Sequence, residues 1–143
     1  MSALEFEQLI EQNHSMLAEF IGGNVGPAKT FFSHRGDVTL ANPFFPIALG
    51  WEKVSRTLDA SIIRFRDGKI VAFETIAKQA TPELAYTVEV ERFRAKVGES
   101  KDVSSISLRV TSVFRPEDGV WRLLHRHADP IMSEQRPESV VQK

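Results

Sequence analysis

Two histidines near the C-terminal end of the chain, His125 and His127, have the side chains best suited to acid/base chemistry. Imidazole changes its charge near neutral pH, so it can accept a proton in one step of a reaction and donate it in another. The alternation of apolar and polar residues over 120–128 predicts a β-strand, and alternate residues of a strand lie on one face of its sheet. We therefore expect both rings to project into the same space.

The turn before this strand determines which residues lie opposite the histidines. Residues 116–120 read Pro-Glu-Asp-Gly-Val and fit a three-residue hairpin loop, in which a type I turn is followed by a glycine in the left-handed region. This loop places Thr111 opposite His125 and Arg109 opposite His127. One histidine is thereby predicted to have a hydroxyl neighbour, and the other a cationic neighbour.

Glu91, on the strand that precedes those of Arg109 and the histidines, completes a predicted row of three residues across the sheet. A turn within residues 98–102 places Glu91 opposite Arg109, although a β-bulge would shift this register. Directly opposed side chains lie about 5 Å apart at Cβ, within reach of an ion pair. Glu91, Arg109 and His127 then form one row on a sheet face that also carries Trp121. We expect this partly apolar face to meet the helices.

Three interpretations of the histidine pair are open at this level. In the first, the rings line a pocket, where they bind a small molecule or exchange a proton with it. In the second, they are buried structural residues that fix the register of the sheet. In the third, they bind a metal, which requires a third ligand such as Glu89 or Glu91. A His-x-His pair is a weak metal signal by itself, and a glycine-rich phosphate loop is missing, so we predict neither a metal nor a cofactor.

The order of the predicted elements indicates an α+β fold. Ser2 and Glu5 form a capping box at the start of an amphipathic helix, which Gly22-Gly23 ends. The predicted helices cover residues 1–20, 27–33 and 50–65, and the predicted strands cover residues 38–41, 70–77, 84–97, 103–114 and 120–128. Helices followed by an antiparallel meander are typical of a domain whose helices pack on one face of the sheet.

Composition and charge are those of one ordinary domain. The 143 residues are 42% hydrophobic and 26% charged, and we predict a domain over 1–131 with a polar tail over 132–143. The net charge of −1 gives no field that would attract nucleic acid or an anionic membrane, so we expect neither as a partner. The chain has no cysteine, which excludes disulfides and thiol catalysis. An N-terminal secretory signal is not recognisable, and we expect a cytoplasmic location.

Four stretches of the chain resemble SnoaL-like proteins of the nuclear transport factor 2-like superfamily, which also includes ketosteroid isomerases. They are GDVTLANP (36–43, followed by Gly50-Trp51), AYTVEVER (85–92), LRVT (108–111) and EDGVWRLLHRHADP (117–130). The resemblance implies a cone-shaped domain, in which a strongly curved sheet wraps around the N-terminal helices, and a homodimer formed through the sheet. The ketosteroid isomerase pattern itself is not met, since the first helix has no tyrosine and Asp37 lies in a polar turn.

The resemblance and the histidine row together predict a protein that binds a small, mostly apolar organic molecule. Acid/base chemistry such as isomerisation, cyclisation or hydration would use His127 as acid or base, Arg109 to orient it or stabilise an enolate, and Glu91 to anchor the arginine. The predicted ligand-binding residues are His125, Trp121, Thr111, Asn42, Phe44 and Tyr86. The alternative is a non-catalytic dimeric binding or association module, whose cavity is filled by Phe44, Phe45 and Trp121 and whose His127 is inaccessible. The sequence leaves open whether the protein is an enzyme.

Overall fold

The computed structural model describes residues 1–142, and its three α-helices lie in the first half of the chain. They are α1 (Ala3–Ile21), α2 (Gly26–Phe31) and α3 (Trp51–Ile62). Ser2 caps α1, because its hydroxyl oxygen accepts a hydrogen bond from the backbone N–H of Glu5 at 3.0 Å. Gly22 follows the last residue of this helix, so both predicted ends of the first helix are confirmed.

Six strands form one curved, open sheet. They are β1 (Thr39–Ala41), β2 (Ala48–Leu49), β3 (Phe65–Ala80), β4 (Ala85–Val97), β5 (Val103–Glu117) and β6 (Val120–Asp129), and a short 3₁₀ turn follows at Pro137–Val140. The order across the sheet is β2-β1-β6-β5-β4-β3. The short β1 pairs in parallel with β6, whereas the other neighbouring strands are antiparallel. The predicted α+β class with an antiparallel meander after the helices is therefore confirmed.

The third helix is shorter than predicted, and the next strand is longer. The helix ends at Ile62, and Phe65 already belongs to β3. Asp67 and Gly68, predicted to stop the helix, instead lie where the pairing of β3 with β4 slips. A side chain on Gly68 would collide with the backbone of Ile21 at the end of α1. A glycine at this point therefore lets the start of β3 pack directly against the first helix.

The register between β4 and β5 differs from the predicted one by a single residue. Glu91 pairs with Leu108, and Arg109 pairs with Val90. Because side chains alternate along a strand, a slip of one residue moves a partner to the opposite face. Glu91 is buried, with 2% of its surface exposed, whereas Arg109 is exposed on the other side of the sheet. The predicted row of Glu91, Arg109 and His127 is wrong.

The register between β5 and β6 differs by two residues, for two separate reasons. Asp118 and Gly119 both have positive φ (52° and 81°), which makes a two-residue type I′ turn in place of the predicted three-residue loop. A bulge then leaves Leu124 without a partner in β5. Each irregularity shifts the pairing by one residue.

The two shifts decide which side chains accompany the histidines. His125 pairs with Val113 and His127 pairs with Thr111, so the predicted partners are wrong. Because the shift is two residues, Arg109 and Thr111 still share one face of the sheet with the histidines. The bulge lies between Trp121 and the histidines, and it places Trp121 on the opposite face. Trp121 packs against the core, as predicted for its face, but the histidines do not share that face.

The helices cover one face of the sheet, which we call the inner face, and leave the outer face open. The inner face is defined by the buried residues of the three central strands: Ala85, Thr87, Glu89, Glu91, Phe93 and Ala95 of β4, Leu108, Val110, Ser112 and Phe114 of β5, and Leu123, Arg126 and Ala128 of β6. Apolar residues of α1 and α2 pack against it. Several polar side chains therefore lie in the interior.

Candidate functional site

A cavity lies between the helices and the inner face of the sheet. It has a volume of about 60 Å³ and is bounded by α1, α3, the loop after β1 and the central strands. Its wall is apolar except for Asn42, Ser61, Glu91 and Arg126. A concave apolar site with a few convergent polar groups is the usual form of a small-molecule site in proteins.

The two charged residues of the wall bind each other. Arg126 donates from Nη1 to Oε2 of Glu91 and from Nη2 to Oε1, both at 2.8 Å. The side chains are 11% and 3% exposed, so the pair is largely removed from water. Each charge is tolerated there because the other compensates it in a parallel, bidentate geometry.

This ion pair spans the sheet diagonally, from β6 over β5 to β4. Arg126 is in register with Ser112 and Thr87, and Glu91 lies four residues further along β4 than Thr87. On a flat sheet, two strand spacings and four residues correspond to roughly 16 Å between the Cα atoms. The curvature of the sheet and the long arginine side chain close this distance, and the guanidinium comes to lie in the cavity wall.

Asn42 holds the loop at one end of the cavity. Its Oδ1 accepts hydrogen bonds from the backbone N–H groups of Phe44 at 3.0 Å and Phe45 at 3.1 Å, and its Nδ2 donates to Ser61 Oγ of α3 at 2.8 Å. Phe44 lines the cavity. The Arg64 guanidinium lies 5.4 Å from the centre of the Phe44 ring and 4.7 Å from that of Phe45. Asn42 and Phe44 are thus in the cavity wall, where their role in ligand binding stays a prediction.

Most of the predicted site residues lie on the outer face instead. They are His125, His127, Thr111, Arg109 and Tyr86, on three neighbouring strands. Among residues 1–142, the cavity wall includes none of this set. His127 and Arg109 have side chains that are 55% and 54% exposed. The structure therefore brings these five residues together, but away from the cavity that they were predicted to line.

The two histidines differ in their surroundings. His125 is hydrogen-bonded through Nδ1 to Thr39 Oγ1 at 2.7 Å, which joins β1 to β6. Burial lowers the pKa of His125 below its ordinary value, and the neighbouring His127 lowers it further. His127 Nε2 lies 3.5 Å from Asp129 Oδ2, and Arg109 Nε donates to Oδ1 of the same carboxylate at 2.6 Å. Asp129, rather than Glu91, is the partner of both Arg109 and His127.

Trp121 is partly buried against the core and is not part of the cavity wall. The predicted alternative, with Phe44, Phe45 and Trp121 filling the cavity and His127 inaccessible, does not describe this arrangement. Of its three aromatic residues only Phe44 reaches the cavity, and His127 is exposed. The predicted filling of the cavity by these three rings is therefore wrong, whereas the accessibility of His127 in a dimer stays a prediction.

A second buried carboxylate lies beside the first on β4. Glu89 is 2% exposed, and its two oxygens lie 3.0 and 2.8 Å from His14 Nε2. Thr75 Oγ1 donates to the same carboxylate at 3.0 Å, and the His14 ring stacks on Phe73 with 3.8 Å between centroids. Sequence reasoning named Glu89 only as a possible metal ligand and did not find His14. The partner is 75 positions away on α1, so no local pattern connects the two.

Arg126 was missed as the partner of Glu91 because both faces of β4 carry apolar residues. Val88 and Val90 alternate with Glu89 and Glu91, and the valines resemble the buried side of a strand. In the fold the valines lie on the outer face and the glutamates inside. The available signal was the series of arginines on β6, one of which had to accompany a buried carboxylate.

Comparison with known proteins defines the fold and little more. No protein-family model matches the chain, and no curated protein matches it in sequence. A solved structure of a candidate dehydratase of the NTF2-like family from Streptomyces avermitilis aligns with a TM-score of 0.77 at 16% identity, covering 92% of this chain and 100% of that one. A ketosteroid isomerase-like protein from Erwinia carotovora atroseptica aligns with a TM-score of 0.72 at 14% identity, over 87% of this chain and 95% of that one.

An enzyme also has this fold. A hexachlorocyclohexane dehydrochlorinase of the LinA type from Novosphingobium barchaimii aligns with a TM-score of 0.68 at 13% identity, over 88% of this chain and 86% of that one. The chain therefore has the nuclear transport factor 2-like fold, and the predicted fold is confirmed. Within residues 1–142, no helix is long and apolar enough to cross a membrane.

Removing one partner of the buried ion pair is expected to destabilise the protein strongly. In Arg126→Met the Glu91 carboxylate is left uncompensated, and we expect a loss of about 3–5 kcal/mol in the free energy of unfolding. In the double variant Glu91→Leu/Arg126→Met most of this loss is recovered, because no charge remains buried. Urea unfolding measures both values. Arg56→Met, which breaks an exposed ion pair with Glu52 on α3, is the matched control and should change little. Equal losses in the single and double variants would contradict the assignment.

The pKa of His125 is expected to lie below its ordinary value of 6.5. In His127→Gln the pKa of His125 should rise but stay below 6.5, because burial is the larger cause of the shift. The unfolded chain binds this proton more readily than the folded chain. His125 therefore lowers the free energy of unfolding as the pH falls from about 7 through the folded-state pKa. Above about pH 7 it has no such effect. NMR titration of the imidazole carbons tests the shift; titration at or above 6.5 would refute it.

Proposed function

We propose that the protein binds a small, mostly apolar organic molecule in the cavity, and that Arg126 donates hydrogen bonds to an oxygen atom of this ligand. The observation that supports the proposal is a buried guanidinium in an otherwise apolar wall. Within the described part of the chain, the recorded hydrogen bonds of Arg126 all go to Glu91. A guanidinium has five N–H donors in a fixed fork, so donors remain for a ligand.

Glu91 is better suited to hold the guanidinium than to act as a base. Both of its oxygens accept hydrogen bonds from Arg126, and the pair fixes the arginine before any ligand arrives. A group held in its binding geometry loses less entropy when a ligand binds. We therefore expect a carboxylate, carbonyl or similar acceptor on the ligand. Acid/base turnover at His127 is not part of this proposal, because that imidazole lies on the outer face.

Ligand entry would require the loop after β1 to move. The cavity of about 60 Å³ is small for an organic ligand, since typical ligand pockets are about 300–1,000 Å³. Phe44 lies against Phe65, with 5.3 Å between ring centroids, and both line the cavity. Rotation of the Phe44 side chain would enlarge the site without disturbing the Glu91–Arg126 pair.

Matched six-carbon probes test this proposal. Hexanoate is expected to bind at least about tenfold more tightly than hexylammonium, because a charge-assisted hydrogen bond contributes about 1.5–3 kcal/mol and Arg126 can only donate. Titration followed by ¹H–¹⁵N NMR should show shifts at cavity residues such as Phe44 and Leu108. The folded double variant Glu91→Leu/Arg126→Met is the control, and it should lose the preference for hexanoate. An unchanged preference, or an absence of shifts at the cavity, would refute the proposal.

We also propose that the protein is a homodimer through the outer face of the sheet. Val88, Val90 and Val113 lie on this face and are only half-buried, and Tyr86 beside them is 39% exposed. An apolar patch of this kind on the open side of a sheet favours association with another surface. His127 and Arg109 border the patch and would lie at or near the interface.

A charge in the apolar patch is expected to separate the dimer. Val88→Glu should halve the mass measured by light scattering at micromolar concentration. Its cross-strand neighbours, Thr111 and Ala77, carry no charge, and an unpaired carboxylate is costly to bury in an interface. Val71→Glu, at an exposed position of the edge strand β3, is the matched control and should leave the mass unchanged. A wild-type protein that is monomeric at high concentration would refute the dimer.

A further inference from the structure

Within residues 1–142, three polar side chains of the interior have no hydrogen-bond partner. The amide nitrogen and oxygen of Asn13 and the hydroxyls of Thr87 and Ser112 are buried without a hydrogen bond in the described part of the chain. Each of the three residues is 1% exposed. Polar groups in protein interiors almost always have partners, and each exception needs an explanation.

Two of the three residues are direct neighbours, and the third lies on the buried face of α1, the helix that contacts the same strand. Thr87 and Ser112 pair directly across β4 and β5, so their side chains are about 5 Å apart on the inner face. Asn13 precedes His14, whose ring reaches Glu89, the next inward-facing residue of β4 after Thr87. The partners of Glu89 are His14 and Thr75, so this carboxylate does not satisfy the three unpartnered side chains.

This neighbourhood lies next to residues of the cavity wall. Ser112 is in register with Arg126, which lines the cavity. Met16 and Leu17 also line it, and they follow Asn13 by three and four residues on the same face of α1. A shift of the flexible Met16 side chain would therefore extend the cavity to the three polar groups.

We propose that Asn13, Thr87 and Ser112 bind a hydroxyl group at the far end of the cavity's ligand. The two hydroxyls and the amide offer both donors and acceptors, which suits a group that itself donates and accepts. The inference rests on the proposed function: Arg126 binds an oxygen acceptor of the ligand, and the three polar side chains bind a hydroxyl beyond an apolar spacer. The ligand class is therefore an apolar molecule with an acceptor at one end and a hydroxyl at the other.

Pairs of probes that differ by one hydroxyl test this subsite. Straight-chain alkanoates of four to eight carbons are compared with their ω-hydroxy forms, and affinities are measured by NMR titration. At the matching length the hydroxyl should tighten binding by about threefold or more, the range of a satisfied neutral hydrogen bond. In Thr87→Val/Ser112→Ala this gain should disappear, while the affinity for the plain alkanoate stays the same.

The outcomes separate this inference from the proposed function. The thermal midpoint of Thr87→Val/Ser112→Ala should equal or exceed that of the wild type, because unpartnered polar atoms are removed, so lost binding is not lost folding. If alkanoates bind but the hydroxyl gives no gain at any length, or the gain persists in the variant, the subsite is refuted and the cavity proposal stands. If no alkanoate shifts the cavity resonances, both are refuted.

Discussion

The ion pair of Glu91 and Arg126 is the interaction on which the interior of this protein depends. Either charge alone would be unfavourable in a space lined by apolar side chains, and the pair is acceptable only in the bidentate geometry that the fold provides. That geometry requires β4 and β6 to approach each other over β5. The pair can therefore form only because the sheet is curved. The same requirement holds the guanidinium at the cavity wall, where it is available to a ligand.

The sheet is unusual in how it divides polar and apolar residues between its faces. Among residues 1–142, the mainly apolar face covered by helices also carries two glutamates, an arginine and two unpartnered hydroxyls, whereas the open face carries valines and a tyrosine beside its charged residues. Polar groups in an interior cost stability unless they serve a purpose. The ligand site that we propose inside and the subunit contact that we propose outside would account for these side chains.

Two buried carboxylates on one strand have different consequences. Glu89 is satisfied by His14 and Thr75 near the edge of the sheet, and it attaches α1 to β4 and β3. Glu91, two residues further on, faces the cavity and holds an arginine with unused donors. The first therefore attaches the helix to the sheet, and the second holds the guanidinium that we propose as a ligand-binding group. Their separation by a single intervening residue shows how closely the structural and the candidate functional parts of the core adjoin.

The sequence by itself determined the type and order of the three helices and of every strand except the two-residue β2 (Ala48–Leu49), because these depend on local signals. The cap at Ser2, the stop at Gly22 and the alternation through the last strands were sufficient for an α+β fold with an antiparallel meander. It also placed Asn42 and Phe44, which follow the first strand, at the cavity.

Register was decided only by the tertiary structure. The slip between β4 and β5 and the bulge at Leu124 leave no local trace, because packing and pairing across the whole sheet select them. Since side chains alternate with a period of two, one residue of slip was enough to separate Glu91 from the histidines and to give it Arg126 instead.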